Sequence, residues 1–190
     1  MTQRKYAVAS IGARIDGFLR PVLQHAGFHV QFEMQDAAPA PDDFETPDIV
    51  VKFRGPDVDA LLSNRAELLL ALEHVTMEVL RVPSEDHSRI SFDANDYRLL
   101  RIEELRLSAT TAAEKVKRTG MPFRFNPMNS RERRVIHLAL RNETAVRSES
   151  LGSGPTRQVV VYPAGMASLP EPPRELHPRR GGPHSKSARR

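Results

Sequence analysis

The sequence predicts an α+β protein: two small modules, each with helices packed on a short sheet, followed by a disordered basic tail. Three observations lead there. Apolar residues recur at helical spacing in some segments and alternate in others, so that short strands lie between helices. Clusters of Gly, Pro, Asn and Asp punctuate those segments where turns are needed. The charge also changes sign along the chain: residues 1–117 hold 14 Lys/Arg against 19 Asp/Glu, residues 118–162 hold 8 against 3, and residues 163–190 hold 6 against 2. A polyanion should therefore engage the later segments and be repelled by, or indifferent to, the first.

The elements follow in order. In "SIGARIDGFLRPVLQHAGF", Ile11, Ile15, Phe18, Leu19, Val22, Leu23 and Ala26 recur as on one helix face, with Pro21 inside the pattern and Gly27 as a stop. "FHVQFEM" alternates like a strand, and "DAAPAPDDFETPD" joins it to a second strand, "IVVKF". The acidic residues of that joining loop lack the Gly-centred spacing of a calcium loop, which makes it a solvated connection. A short helix from Asp57 to Leu62, a break at "SNRA" and an apolar helix "ELLLALEHVTMEVL" come next, then the strand "RISFDA". Asn95 is placed to cap a long helix that Gly120 ends, with an apolar stripe of Leu99, Ile102, Leu105, Ala109, Ala113 and Val116. "MPFRFNPM", a helix within "NSRERRVIHLALRNE" and two strands, "AVRSES" and "RQVVVYP", complete the folded part. Beyond it the chain is Pro-, Gly-, Arg- and Ser-rich, with few large apolar residues, a composition expected to be disordered.

Composition excludes several classes. The chain of 190 residues has no cysteine, so it forms no disulfide and lacks zinc's commonest structural ligand. No apolar run approaches the roughly 18 residues of a membrane span, and "MTQRKYAVAS" lacks the apolar segment of a secretory signal. A cytoplasmic location is expected.

The helix within "NSRERRVIHLALRNE" carries the chemistry. At about 100° per residue, Ser130, Arg133, Arg134, His137 and Arg141 share one side, while Val135, Ile136, Ala139 and Leu140 share the other. Asn129 and Glu132 have the spacing of a capping box. Guanidinium forks suit phosphate oxygens, and a histidine one turn away donates to phosphate or stacks on a base. Arg147 and Arg157, on the following strands, are expected to extend the patch. Spacing alone would equally describe a solvated basic face, because Arg-x-x-x-His recurs by chance.

"NPMNSRERRVIHLAL" followed by "VRSESLGSGPTRQVVVYP" resembles the R-three-H domain, named for an arginine and a histidine with three residues between them, in the form found in the bacterial Jag family. That family couples this domain to a preceding type II KH domain, and the order of elements through "RISFDA" is similar to one. The resemblance implies a KH-like module over 1–94, an R-three-H module over 95–163 and a disordered tail over 164–190. It implies non-enzymatic binding of single-stranded RNA or DNA, with Arg133 and His137 in the two defining positions. It also implies post-transcriptional regulation, a small KH protein or self-association as partner, and only indirect membrane association.

One stretch departs from the KH pattern. Where a Gly-x-x-Gly loop lets backbone amides approach phosphates, this chain has "SNRA", with Ser63 and Ala66 in place of the glycines. Their Cβ atoms are expected to hinder positive φ angles and close approach. Asn64 tolerates left-handed geometry, and Arg65 remains as a weak phosphate contact. A KH-like module kept as a scaffold or partner surface is the alternative function.

No cofactor or metal is expected. His25 and His29 are four apart, but Gly27 interrupts any helix through both. His74 reads as a packed or surface polar residue, and Phe123 and Phe125 as core. Catalysis by His137 would need an adjacent carboxylate or metal, and Glu132 faces the other side of the helix.

Overall fold

A computed structural model describes residues 4–37, 44 and 46–170. The first half runs α1 (Val8–His25), β1 (Gln31–Asp36), β2 (Ile49–Arg54), α2 (Val58–Leu80), a 3-10 turn (Ser84–Arg89) and β3 (Ile90–Ala94). The second half runs α3 (Tyr97–Thr119), β4 (Phe123–Arg124), α4 (Ser130–Ala139), β5 (Val146–Leu151) and β6 (Gln158–Pro163).

The first sheet has the order β1-β2-β3, with β1 antiparallel and β3 parallel to β2. Parallel pairing requires a crossover, and α2 supplies it. Ile49, Val51 and Phe53 of β2 alternate into a core with Ile15, Leu19 and Leu23 of α1, Leu61, Leu69 and Met77 of α2, and Phe92 of β3. The helix–strand–strand–broken helix–strand order expected from the sequence is thus present, and Pro21 lies inside an uninterrupted α1.

The break in α2 falls on "SNRA". Ser63 is extended, and Asn64, Arg65 and Ala66 all take left-handed geometry, with φ of 52°, 62° and 59°. The expectation that side chains would hinder positive φ here is corrected: the backbone adopts it regardless, at about 1 kcal/mol or more of strain per residue. Packing supplies the compensation. Ala66 is fully buried in the first core, and the Tyr97 hydroxyl donates to the Arg65 carbonyl at 2.8 Å.

Only Asn95 and Asp96 separate β3 from α3. Both have positive φ, and Asp96, not Asn95, occupies the N-cap position without a side-chain hydrogen bond. The Asp93 carboxylate accepts from the Arg98 N–H at 3.1 Å and takes over that role. Gly120, at φ 66°, ends the helix as expected. Leu99 was expected in the buried stripe but is 62% exposed, and Ala112 joins Leu105, Ala109, Ala113 and Val116 instead.

The second sheet has the order β4-β6-β5, entirely antiparallel. Its helix-side face carries Val159 and Val161, packed with α3 and with Val135, Ile136 and Leu140, and Phe123 and Phe125 border this core. Its far face carries Val160, Tyr162 and Leu151, with Leu169 against them. The fold therefore runs past Pro163, where the sequence reading ended it. Ala164 N–H donates to the Ala145 carbonyl at 3.0 Å, Ser168 donates to Glu149 at 2.8 Å, and Leu169 N–H donates to the Tyr162 hydroxyl at 3.2 Å. A buried aromatic ring gives this strap something to cover. The remainder of the expected tail, residues 171–190, lies outside the described residues.

Candidate nucleic-acid interface

Helix α4 begins as the capping box predicts. Asn129 accepts from the Glu132 N–H at 3.0 Å, and Glu132 accepts from the Asn129 N–H at 3.1 Å. The other Glu132 oxygen accepts from Arg101 Nε of α3 at 2.7 Å, which fixes the rotation of α4 about its axis. Val135 and Ile136 then point into the second core, and Arg133 and His137 point across the helix-side face of β5.

Strand alternation places Ser148 and Ser150 on that face, opposite Val161 and Val159 of β6. His137 Nδ1 lies 2.7 Å from the Ser148 hydroxyl and Nε2 lies 3.0 Å from the Ser150 hydroxyl. Arg133 Nη1 donates to the same Ser150 hydroxyl at 3.2 Å. The two serines clamp the imidazole and align it with the guanidinium.

The site is electrically one-sided. Burial, reinforced by Arg157, pushes the Arg133 guanidinium below its ordinary value, though it remains a cation at ordinary pH. Burial, and then the positive charges of Arg133 and Arg157, hold the His137 ring below its ordinary 6.5. The ring is consequently neutral at pH 7. Arg133 Nε is buried and has no hydrogen-bond partner among the described residues. A buried donor without an acceptor is rare and costly. Here it sits beside a second cation and a histidine, an arrangement an anion would satisfy.

The remaining expected contacts separate. Arg157, exposed at the start of β6, joins Arg133 and His137. Arg134 is exposed on α4, while Arg141 lies beyond the helix end, in the turn after Leu140, so the helical face expected through Arg141 stops short. Arg147 is on the opposite face of the sheet. There it stacks over the Tyr162 ring at 4.4 Å, pairs with Glu149 and donates to the Met166 carbonyl at 2.6 Å. Arg65 is exposed at the left-handed turn of α2, away from α4 in sequence and on the other module. Sequence reasoning missed Ser148 and Ser150. Their signal was the alternation in "RSES", which sends the two serines to one face and Arg147 and Glu149 to the other.

These features define a protein of the R-three-H class, and residues 103–163 match the family profile of the R-three-H domain. The chain is 37% identical over 111 residues to the RNA-binding protein KhpB of Clostridium symbiosum, covering 58% of this chain and 50% of that protein. It is 31% identical over 109 residues to the KhpB of Bacillus subtilis (strain 168), covering 56% and 52%. With the KhpB of Streptococcus pneumoniae serotype 2 it shares 26% over 129 residues, 68% of this chain and 39% of that protein. The chain spans about half the length of the first two relatives. It belongs to the Jag family that these KhpB proteins represent, as the resemblance of its Arg–His helix implied.

Proposed function

We propose that this protein is a cytoplasmic, non-enzymatic binder of single-stranded RNA acting in post-transcriptional regulation, with Arg133 and His137 at the centre of the contact and Arg157 beside them. The observation that carries this reading is the buried Arg133 Nε without an acceptor, set between His137 and Arg157. A phosphate oxygen supplies the missing acceptor and neutralises the cluster, and the serine-clamped imidazole donates to the same group once protonated. The RNA-binding names of the relatives support the same choice of ligand. Arg134 and Arg141, on and just beyond α4, add outer phosphate contacts, and Arg65 adds a weaker one on the first module. Arg147 contributes by holding the strap. Among the described residues, no helix is long and apolar enough to cross a membrane.

The test is fluorescence-anisotropy titration of a short single-stranded RNA with wild type and Arg133→Ala/His137→Ala, across a salt series. Charge-assisted hydrogen bonds are worth about 1.5–3 kcal/mol each, so the double variant is expected to bind at least about tenfold more weakly. Its log affinity should fall less steeply with log salt, by about 0.7 for each phosphate contact removed. Equal affinity and slope in a folded double variant would remove the Arg–His helix from the function.

The pH dependence has a definite sign. A phosphate beside His137 favours the charged ring, so the bound pKa exceeds the lowered free value and affinity should rise as pH falls from about 7 to about 5.5. Folding stability moves the other way. The folded pKa lies below the unfolded value near 6.5, so this residue's stabilising contribution is complete above that value and is lost as pH falls through the folded pKa. His137→Gln should flatten this part of both profiles, which titrations over that pH range would show.

A second reading, a protein-contact surface on the first module and the start of α3, is favoured by Val75, Val79, Leu99 and Leu100, which are 46–65% exposed. Self-association in sedimentation measurements, combined with absent RNA binding, would favour it over the first.

A further inference from the structure

The end of α2 and the turn after it bring together three groups that the Arg–His site does not use. His74 and Glu78 are one helical turn apart on α2, and His87 comes from the 3-10 turn Ser84–Arg89. Each offers a donor atom, and the three donor atoms lie within 4.8 Å of one another. The two imidazole rings stand edge-on with centroids 6.0 Å apart.

The tautomer of His87 is fixed by its own neighbour. His87 Nε2 lies 2.9 Å from the Val82 carbonyl, which can only accept, so Nε2 carries the proton. Its Nδ1 is then the lone-pair nitrogen of a neutral ring. A backbone carbonyl holding the distal N–H of a histidine is the usual outer-shell arrangement around a metal-binding imidazole.

From this geometry we propose that His74, Glu78 and His87 bind a zinc ion. Two imidazoles and one carboxylate are a recognised ligand set for zinc, with water in the fourth position. Tetrahedral coordination with bonds of about 2.0–2.1 Å needs donors roughly 3.4 Å apart. His74 and Glu78 are exposed, so rotation of their side chains closes the remaining gap while the half-buried His87 stays in place. Calcium and magnesium, which prefer oxygen ligands, are poor matches.

The ion would clamp the last turns of α2 to the segment leading into β3. That segment is also where the halves meet, because Arg131 of α4 donates to the His87 carbonyl and, at 3.1 Å, to the Ile90 carbonyl. Zinc would therefore stiffen the ledge on which α4 rests.

The experiment uses the full chain prepared without a histidine tag and titrated with Zn2+ against a chromophoric chelator. Wild type is expected to take up one tightly held equivalent and to show a higher Tm with zinc than without. In His74→Ala/His87→Ala the affinity of that equivalent should fall by more than about tenfold and the zinc-dependent Tm shift should vanish. Glu78→Gln, which preserves side-chain size on an exposed position, should show an intermediate loss while retaining the wild-type far-UV spectrum. Zinc uptake identical in wild type and in the folded double variant would assign the ion to other histidines and overturn the proposal. Failure of wild type to bind zinc saturably would overturn it equally.

Discussion

Replacing Glu73 by alanine is expected to remove about 3–5 kcal/mol of folding stability, the cost of stranding buried charges. Glu73 Oε2 accepts from the Phe92 N–H at 2.7 Å and from Arg98 Nη2 at 2.5 Å, and Oε1 lies 3.3 Å from Arg131 Nη2. The side chains of Glu73, Arg98 and Arg131 are only 11%, 13% and 18% exposed, so water cannot replace what the carboxylate provides. The carboxylate lies on α2, one guanidinium opens α3 and the other comes from α4. The same substitution therefore loosens the join between the two halves. Glu73→Gln, which keeps an acceptor but no charge, should fall between wild type and alanine. Urea unfolding monitored by far-UV circular dichroism measures both. A loss below about 1 kcal/mol for the alanine variant would mean that the cluster is solvated and does not hold the halves together.

Tyr162→Ala is expected to have a comparable effect by a different route. The Tyr162 side chain is fully buried, and truncating a large core aromatic costs about 3–5 kcal/mol. The ring also supports the Arg147 guanidinium at 4.4 Å, packs against Leu169 and accepts the Leu169 N–H through its hydroxyl. Without it the strap over residues 164–169 loses its apolar contact and one of its hydrogen bonds. Hydrogen exchange at the amides of Ala164 and Leu169 should accelerate more than exchange at Val159, whose side chain packs in the opposite core. Uniform acceleration at all three would show that the strap has no separate stability.

Much of this fold was legible because it depends on short-range patterns. Helical periodicity placed α1, α2 and α3, alternation placed β2 and β6, and Asn129 with Glu132 fixed the start of α4. Three features depended on contacts distant in sequence. Leu99 fits the apolar stripe by spacing, but the first turn of α3 overhangs the join between the halves and leaves it exposed. The strap is Ala-, Ser- and Pro-rich and carries only one deeply packed anchor, Leu169, so composition suggested disorder. The left-handed turn at Asn64–Ala66 lacks glycine and exists because Tyr97 and the first core hold it.

The candidate site was partly legible for the same reason. Arg133 and His137 are one helical turn apart and had to share a face. Whether Arg147 or Arg157 joined them depended on strand register, since a shift of one residue reverses every side chain on a strand. The observed register sends Arg147 away and brings the two serines in. Nothing in the sequence marked His87 as a neighbour of His74 and Glu78, because that proximity arises from the turn that returns the chain to β3.

The near-absence of a linker between β3 and α3 has a consequence for how the molecule moves in solution. With two residues between them and Arg131 reaching from α4 to the edge of β3, the halves tumble as one rotor with a single correlation time. A strand of RNA held at Arg133 would then meet the Asn64–Ala66 turn at a set bearing, so the protein would behave as a fixed ruler along its ligand.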